Sequence, residues 1–201
     1  MVENRQYFSK TNDELPSNEK IIYGKINDLS FKFKTDNGVF SKDFLDFASK
    51  LLLEKMDFES ILDGTILDVG CGYGPIGIYA SYISKKAVVM LDINPRALAL
   101  SKENLKLNNV EARVLESDCL DGVINEKFSC VITNPPIHAG KEVVYKIFTQ
   151  SYEVLIDGGS LWIVIQEKHG APSAIKKLKT IFPVVEIFYK KKGFYILKCI
   201  K

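Results

Sequence analysis

The stretch TILDVGCGYGPIG, residues 65–77, decides the fold. Residues 65–69 are an apolar run of strand length, and Pro75 suits the first turn of a helix. Gly70, Gly72 and Gly74 between them permit a tight turn and let a ligand touch bare backbone. A strand that passes through a glycine loop into a helix opens a βαβ unit, and the chain downstream repeats that unit. Strands are expected over 87–92, 111–115, 128–133 and 160–166, with helices over 75–84, 95–108, 141–155 and 172–181. Strands alternating with helices of this length imply a parallel, doubly wound α/β sheet. Near the end, 184–189 and 194–200 are separated by a gap too short for a crossover helix. They must pair as an antiparallel hairpin, which makes the mostly parallel sheet seven-stranded. Upstream, 20–26 and 29–35 alternate around Asn27-Asp28 and read as a hairpin. A helix is expected from Ser41 as N-cap to about residue 55, with Phe44, Leu45, Ala48, Leu51 and Leu52 at helical spacing.

The chain of 201 residues is 46% hydrophobic and 26% charged, values of one ordinary globular domain. That domain is expected to divide into an N-terminal extension, residues 1–60, and a core that carries the glycine loop, residues 61–201. No apolar run approaches the roughly 18 residues needed to span a bilayer, and residues 1–16 are polar where a signal peptide would be apolar. A cytoplasmic, monomeric protein with no membrane contact is expected, its first 17 or so residues loosely held. Cys71, Cys119, Cys130 and Cys199 show neither a CxxC pair nor metal spacing and are read as reduced, with no metal site. A formal charge of +2 excludes a strongly basic nucleic-acid coat but leaves local patches such as Lys176, Lys177 and Lys179, or Lys190, Lys191 and Lys192.

A literal G-x-G-x-x-G can be read at Gly72, Gly74 and Gly77, which by itself would suggest a dinucleotide. Asp68 argues otherwise. A pyrophosphate needs a helix N-terminus free of carboxylates, whereas an acid closing the strand two residues before the first glycine suits a cation. S-adenosylmethionine, with an ammonium and a sulfonium and no phosphate, fits. The second strand ends in Asp92-Ile93-Asn94, where a carboxylate can accept both hydroxyls of a ribose. The third leads to Asp118-Cys119, where Asp118 could accept from an adenine amine. The strand over 128–133 ends in Asn134-Pro135-Pro136, a polar turn rigid in its ring dihedrals at the place where an open α/β sheet binds its ligand.

On these motifs the chain, over about residues 65–201, resembles the class I S-adenosylmethionine-dependent methyltransferases, and the resemblance implies their Rossmann-like methyltransferase fold. It implies that Asp68 and the loop Gly70, Cys71, Gly72 and Gly74 hold the methionine end of the cofactor. Asp92, with Ile93 and Asn94, would hold the ribose, and Asp118 with Cys119 the adenine. Asn134-Pro135-Pro136-Ile137 resembles the N-P-P-[YFI] motif of members that methylate planar amines. The lone pair of such an amine is delocalised, so two acceptors must take its N–H hydrogens and aim the nitrogen at the methyl group. The Asn134 side-chain oxygen and the Pro135 carbonyl supply them. No strong base is required, because the nitrogen turns acidic only during transfer.

Gly38-Val39-Phe40-Ser41 followed by a helix, with Asn134 to Lys141, is similar to the small-domain branch whose characterised members methylate guanine N2 in ribosomal RNA. The implied partner is ribosomal RNA or a ribosomal subunit, and the implied process is RNA methylation during rRNA processing. Position 137 is Ile where many relatives have Phe or Tyr to stack on the base. Phe40 is a candidate replacement, its other reading being a core anchor of the following helix. His138 and Lys141 are candidate substrate contacts, whereas His169 is expected to be inert. Two rivals stand beside this reading. One is a glutamine-side-chain methyltransferase, whose relatives usually carry Tyr at the position of Ile137 and a separate helical domain. The other is a non-catalytic S-adenosylmethionine-binding subunit, which would need no amine acceptors. Asp68 disfavours a nicotinamide dehydrogenase.

Overall fold

A computed structural model describes residues 15–201. Chain order runs β1 (Lys20–Ile26), β2 (Leu29–Thr35), α1 (Phe47–Lys55), β3 (Ile66–Val69), α2 (Pro75–Ser84), β4 (Val88–Asp92), α3 (Pro95–Leu107) and β5 (Arg113–Glu116). It continues with β6 (Phe128–Thr133), α4 (Lys141–Val154), β7 (Leu155–Gln166), α5 (Ala171–Leu178), β8 (Val184–Lys191) and β9 (Phe194–Ile200). Strands β1 and β2 form a separate two-stranded sheet, and the other seven run in the order β5-β4-β3-β6-β7-β9-β8. All pairs from β5 to β7 are parallel, and β9 is antiparallel to both β7 and β8. This is the expected doubly wound, mostly parallel, Rossmann-like methyltransferase fold with its terminal antiparallel hairpin.

Because successive side chains point to opposite faces of a strand, both faces of this sheet are apolar. Val88 and Met90 of β4 join a core with β1, β2, α1, α2 and α3, and Val89 and Leu91 join one with α4 and α5. Hairpin residues Ile22, Phe31 and Phe33 share the first core with Ile66 and Trp162 of the sheet, so no solvent layer parts the extension from the sheet. The backbone of β2 is also closed by side chains. Asn104 of α3 and its C-cap Asn108, one helical turn apart, each accept from and donate to a β2 backbone residue, Lys34 and Lys32 respectively. Four helical residues rise about 6 Å, close to two strand residues, so two amides can match alternate positions of an edge strand that would otherwise be open. The second Asn104 N–H donates to Tyr73 O at 2.8 Å and ties the glycine loop to the same frame.

Three local expectations are corrected. Ser41 is not an N-cap: its φ is +54°, its Oγ donates to Phe44 O, and α1 begins six residues later with Asp46 as cap. Strand β7 starts at Leu155 and not at 160, since Gly158 N–H donates to Lys201 O and Gly159 O accepts from Lys201 N–H, which keeps this glycine pair in the ladder. Of the segment expected to be loose, residues 1–14 lie outside the described residues, whereas Leu15 to Asn18 are held. Leu15 O accepts from Arg96, and Ser17 Oγ and the Asn18 N–H donate to Asp36. Among the described residues all four cysteines are free, and no helix is long and apolar enough to cross a membrane.

Candidate active site

The sheet order reverses between β3 and β6, and the carboxyl ends of these strands open onto a cavity of about 440 Å³. After β3, Gly70 (φ +74°) and Gly72 (φ +56°) adopt left-handed backbone conformations. A Cβ at either position would meet nothing within 4 Å, so the loop offers bare backbone to a ligand. The Gly70 and Cys71 N–H groups donate to Leu91 O, and the Gly72 N–H donates to Asp92 Oδ2 at 2.8 Å. The other Asp92 oxygen accepts from the Asn94 N–H at 2.9 Å. With about four lone-pair sites on its two oxygens, the carboxylate keeps acceptor capacity for a donor in the cavity. Burial raises the Asp92 pKa, against the opposing pull of the Asn94, Gly72 and Ile93 N–H groups.

Asp68 does not line the cavity. It is fully buried behind the loop, where Oδ2 accepts from the Gly77 N–H at 2.8 Å and Oδ1 has no partner among the described residues. Burial pushes its carboxyl up to about 8, the Gly77 N–H lowers it and the neighbouring Asp92 charge raises it further. Tyr73, which does line the cavity, has a buried Oη without a partner among the described residues, and burial followed by Asp46 raises its pKa. Buried polar atoms without partners are rare in folded proteins and call for a ligand or water. Two carboxyl groups whose ionised forms burial disfavours, next to bare glycine backbone, fit a cationic group and oppose a pyrophosphate.

The remaining cofactor-side expectations divide. Cys71, Ile93, Asp118 and Cys119 all line the cavity. Asp118 is exposed there, 3.6 Å from Lys146 Nζ. Asn94 also lines it, but its side chain is a framework element: Oδ1 caps α3 by accepting from the Arg96 and Ala97 N–H groups, and Nδ2 donates to Gly38 O. Gly74 (φ +102°) is the N-cap of α2 and lies behind the lining.

Asn134, Pro135, Pro136 and Ile137 line the same cavity. The Pro135 carbonyl accepts from the Ile137 N–H at 2.9 Å across Pro136, whose φ of −74° and ψ of 80° make an inverse γ-turn. This turn uses one lone pair of the Pro135 carbonyl. Both Asn134 Nδ2 hydrogens are engaged, by Asp46 Oδ2 at 3.1 Å and Ser49 Oγ at 3.0 Å. Among the described residues no donor reaches its Oδ1.

At the rim, Phe40 is 48% exposed and lines the cavity, so it is not the core anchor of its alternative reading. The hydrogen bonds from Asn94 to Gly38 O and from Arg96 to Asn37 O bring its loop there. His138 also lines the cavity, and so does His169, whose ring centroid is 5.8 Å from that of His138. Lys141 opens α4, exposed and outside the lining. Asp46, Ser49, Gln166 and Phe194 are cavity residues that sequence reasoning missed. Only Asp46 carried a local signal, as an acid three residues ahead of Ser49 at a helix start.

The family model for the methyltransferase small domain matches residues 30–198. The uncharacterized protein YbxB of Bacillus subtilis is 44% identical over 199 residues, 98% of each chain. The ribosomal RNA small subunit methyltransferase C of Pseudoalteromonas atlantica is 39% identical over 145 residues, 70% of this chain and 41% of that one. Among solved structures, the T. thermophilus 16S rRNA N2 G1207 methyltransferase (RsmC) in complex with AdoMet and guanosine is similar with a TM-score of 0.82 at 25% identity. The match covers 93% of this chain and 52% of that one. This chain spans about half the length of these rRNA methyltransferases. With the glycine loop, Asp92, Asp118 and the Asn134 turn on one cavity, the chain belongs to the methyltransferase small domain family of class I S-adenosylmethionine-dependent methyltransferases.

Proposed function

We propose that this protein methylates an exocyclic base amine of RNA, guanine N2 of ribosomal RNA first among the candidates. The observation that carries the reading is the pair of free acceptor positions, Asn134 Oδ1 and the second lone pair of the Pro135 carbonyl, on the cavity that the glycine loop enters. S-adenosylmethionine supplies, when bound, an electrophilic methyl group on a sulfonium. Gly70, Cys71 and Gly72 would hold its methionine end by backbone, Asp92 its ribose hydroxyls and Asp118 its adenine amine. Asp68 would act from behind the loop as a buried negative charge. Asn134 and Pro135 accept the two N–H hydrogens of the substrate amine and so point its lone pair into the cavity. As the nitrogen gains positive charge its N–H groups become stronger donors, so both contacts tighten in the transition state. The similarity to the rRNA methyltransferases supports RNA over a glutamine side chain as substrate.

The residues 1–60 extension and the 61–201 core are proposed to act as one monomeric domain, since Phe40, Asp46 and Ser49 from the extension complete the cavity. The surface at the mouth suits RNA. Phe40 and Phe44 in the loop before α1 and Phe47 at its first position are exposed, the Phe194 ring lies tilted with its centroid 5.3 Å from that of Phe47, and Lys192 Nζ lies 5.8 Å from the Phe47 ring. Aromatic faces among lysines take unstacked bases and backbone phosphate together. With Ile137 lacking a π-face, Phe40, His138 and His169 offer the rings to receive a flipped base.

The deciding experiment is tritium transfer from labelled cofactor to naked rRNA, small subunits and large subunits that lack the modification, followed by nucleoside analysis. N2-methylguanosine is expected. Labelled glutamine in a ribosomal protein defeats the RNA reading, and N6-methyladenosine rejects the base alone.

A further inference from the structure

We infer that Asp46 and Ser49 are positioning residues for methyl transfer, holding the Asn134 carboxamide in the one orientation that presents oxygen to the substrate. The inference rests on the proposed role of Asn134 as acceptor for the transferring amine.

A carboxamide has nearly the same shape with oxygen and nitrogen exchanged, so an asparagine at a catalytic position needs something to choose between its two orientations. The wrong orientation would aim N–H hydrogens at the N–H hydrogens of the substrate. At this site the choice is made by chemistry. Asp46 Oδ2, 3.1 Å from Asn134 Nδ2, is a carboxylate oxygen that only accepts, so a reversed amide would set oxygen against oxygen. Ser49 Oγ, 3.0 Å from the same nitrogen, can donate or accept and is indifferent by itself. Asp46 breaks the tie, and Ser49, 5% exposed, occupies the second Nδ2 hydrogen. With both hydrogens engaged, Oδ1 is the polar atom left for the cavity. The negative charge behind Nδ2 also polarises the amide and makes Oδ1 a stronger acceptor as the substrate nitrogen becomes cationic.

Asp46 itself is rigid. The same Oδ2 accepts from the Ser49 N–H at 2.8 Å as the N-cap of α1, and α1 packs against α2 and β7. A helix start in the extension thus sets a side chain 88 residues away at the end of a central strand. Helix α1 begins at Phe47 because Asp46 caps it; a helix starting at Ser41 would carry Asp46 inside it, with no cap oxygen aimed at Asn134.

The test is a double-mutant cycle with a spectroscopic arm. Asp46→Ser keeps a good helix cap but withdraws the acceptor from Asn134, and Ser49→Ala removes the second contact. Asp46→Ser should lower kcat for RNA methylation about tenfold or more, the scale of a lost charge-assisted hydrogen bond, with cofactor affinity and Tm near wild type. In an Asn134→Ala background the same change should cost nothing further, because its target is gone. By nuclear magnetic resonance, the Asn134 side-chain NH₂ signals of the full chain should be protected from exchange and should move in Asp46→Ser. Amide signals that stay in place, an unchanged kcat in Asp46→Ser beside an inactive Asn134→Ala, or an equal loss in both backgrounds each overturn the inference alone. An active Asn134→Ala whose wild-type amide signals do respond to Asp46 instead defeats the proposed function, and this inference with it.

Discussion

Asp68 carries the sharpest physical prediction, because its carboxyl is buried with one oxygen unpaired and is raised to about 8. Unfolded, an aspartate titrates near 3.9, so below about pH 4 both states hold the proton and the group contributes nothing to stability. Between about 4 and 8 the unfolded chain has lost the proton while the folded chain keeps it. The unfolded state binds fewer protons, so stability falls as pH rises, by about 1.4 kcal/mol per unit from this group, and levels off above 8. Asp68→Asn removes that slope. Denaturant unfolding of both proteins at pH 5 and pH 7 should show the difference moving by about 3 kcal/mol in favour of the variant, two units at that slope. The same shift reaches function: at pH 7 roughly ten molecules hold the Asp68 proton for each that has lost it, from one unit of difference. A bound sulfonium and ammonium favour the ionised form, so cofactor binding should release a proton in wild type, and less in Asp68→Asn. Calorimetry in two buffers of different ionisation enthalpy measures that proton. Parallel pH dependences of stability together with no proton release would refute the account of Asp68 as a neutral acid awaiting a cation.

Asn134→Ala should reduce the methyl-transfer rate about a hundredfold with cofactor affinity unchanged, the pattern of a contact strongest in the transition state, read from single-turnover rates and calorimetry. Asp92→Ala should weaken S-adenosylmethionine binding by about 2 kcal/mol, the scale of charge-assisted hydrogen bonds, and a wild-type affinity would remove Asp92 from the ribose. Changing Lys190, Lys191 and Lys192 together to Glu should abolish methylation of RNA and leave cofactor binding intact, and wild-type transfer should weaken steeply with salt. Gly77→Ala places a Cβ 2.6 Å from Met90 Cγ and 2.7 Å from its Sδ. Met90 is fully buried, so overpacking should cost about 1–3 kcal/mol in denaturant unfolding, and an unchanged midpoint would contradict the packing beneath the loop.

The elements that sequence determined are those governed by neighbours in the chain. Val88 to Leu91 alternate between two apolar cores, Pro75 and Pro95 sit in first helical turns, and the short gap before Phe194 permits only a hairpin. Each follows from backbone geometry within a few residues, so α2, β6 and the β1–β2 hairpin lie where the pattern sets them. The glycine loop and the acids at strand ends were legible for the same reason, since a parallel α/β sheet delivers its strand ends to one edge. Tertiary structure alone decided that β9 enters between β7 and β8, because a hairpin pattern says that two strands pair but not which of them meets the sheet. It alone set Asp46 against Asn134, His169 beside His138, and Asp68 behind the loop and out of the cavity. Ser41 takes a left-handed backbone, Asp46 caps the helix and also reaches Asn134 88 residues on, and no periodicity records that pairing. Burial and hydrogen bonding between distant segments depend on packing in three dimensions, and that packing turned an ordinary helix cap into part of the candidate active site.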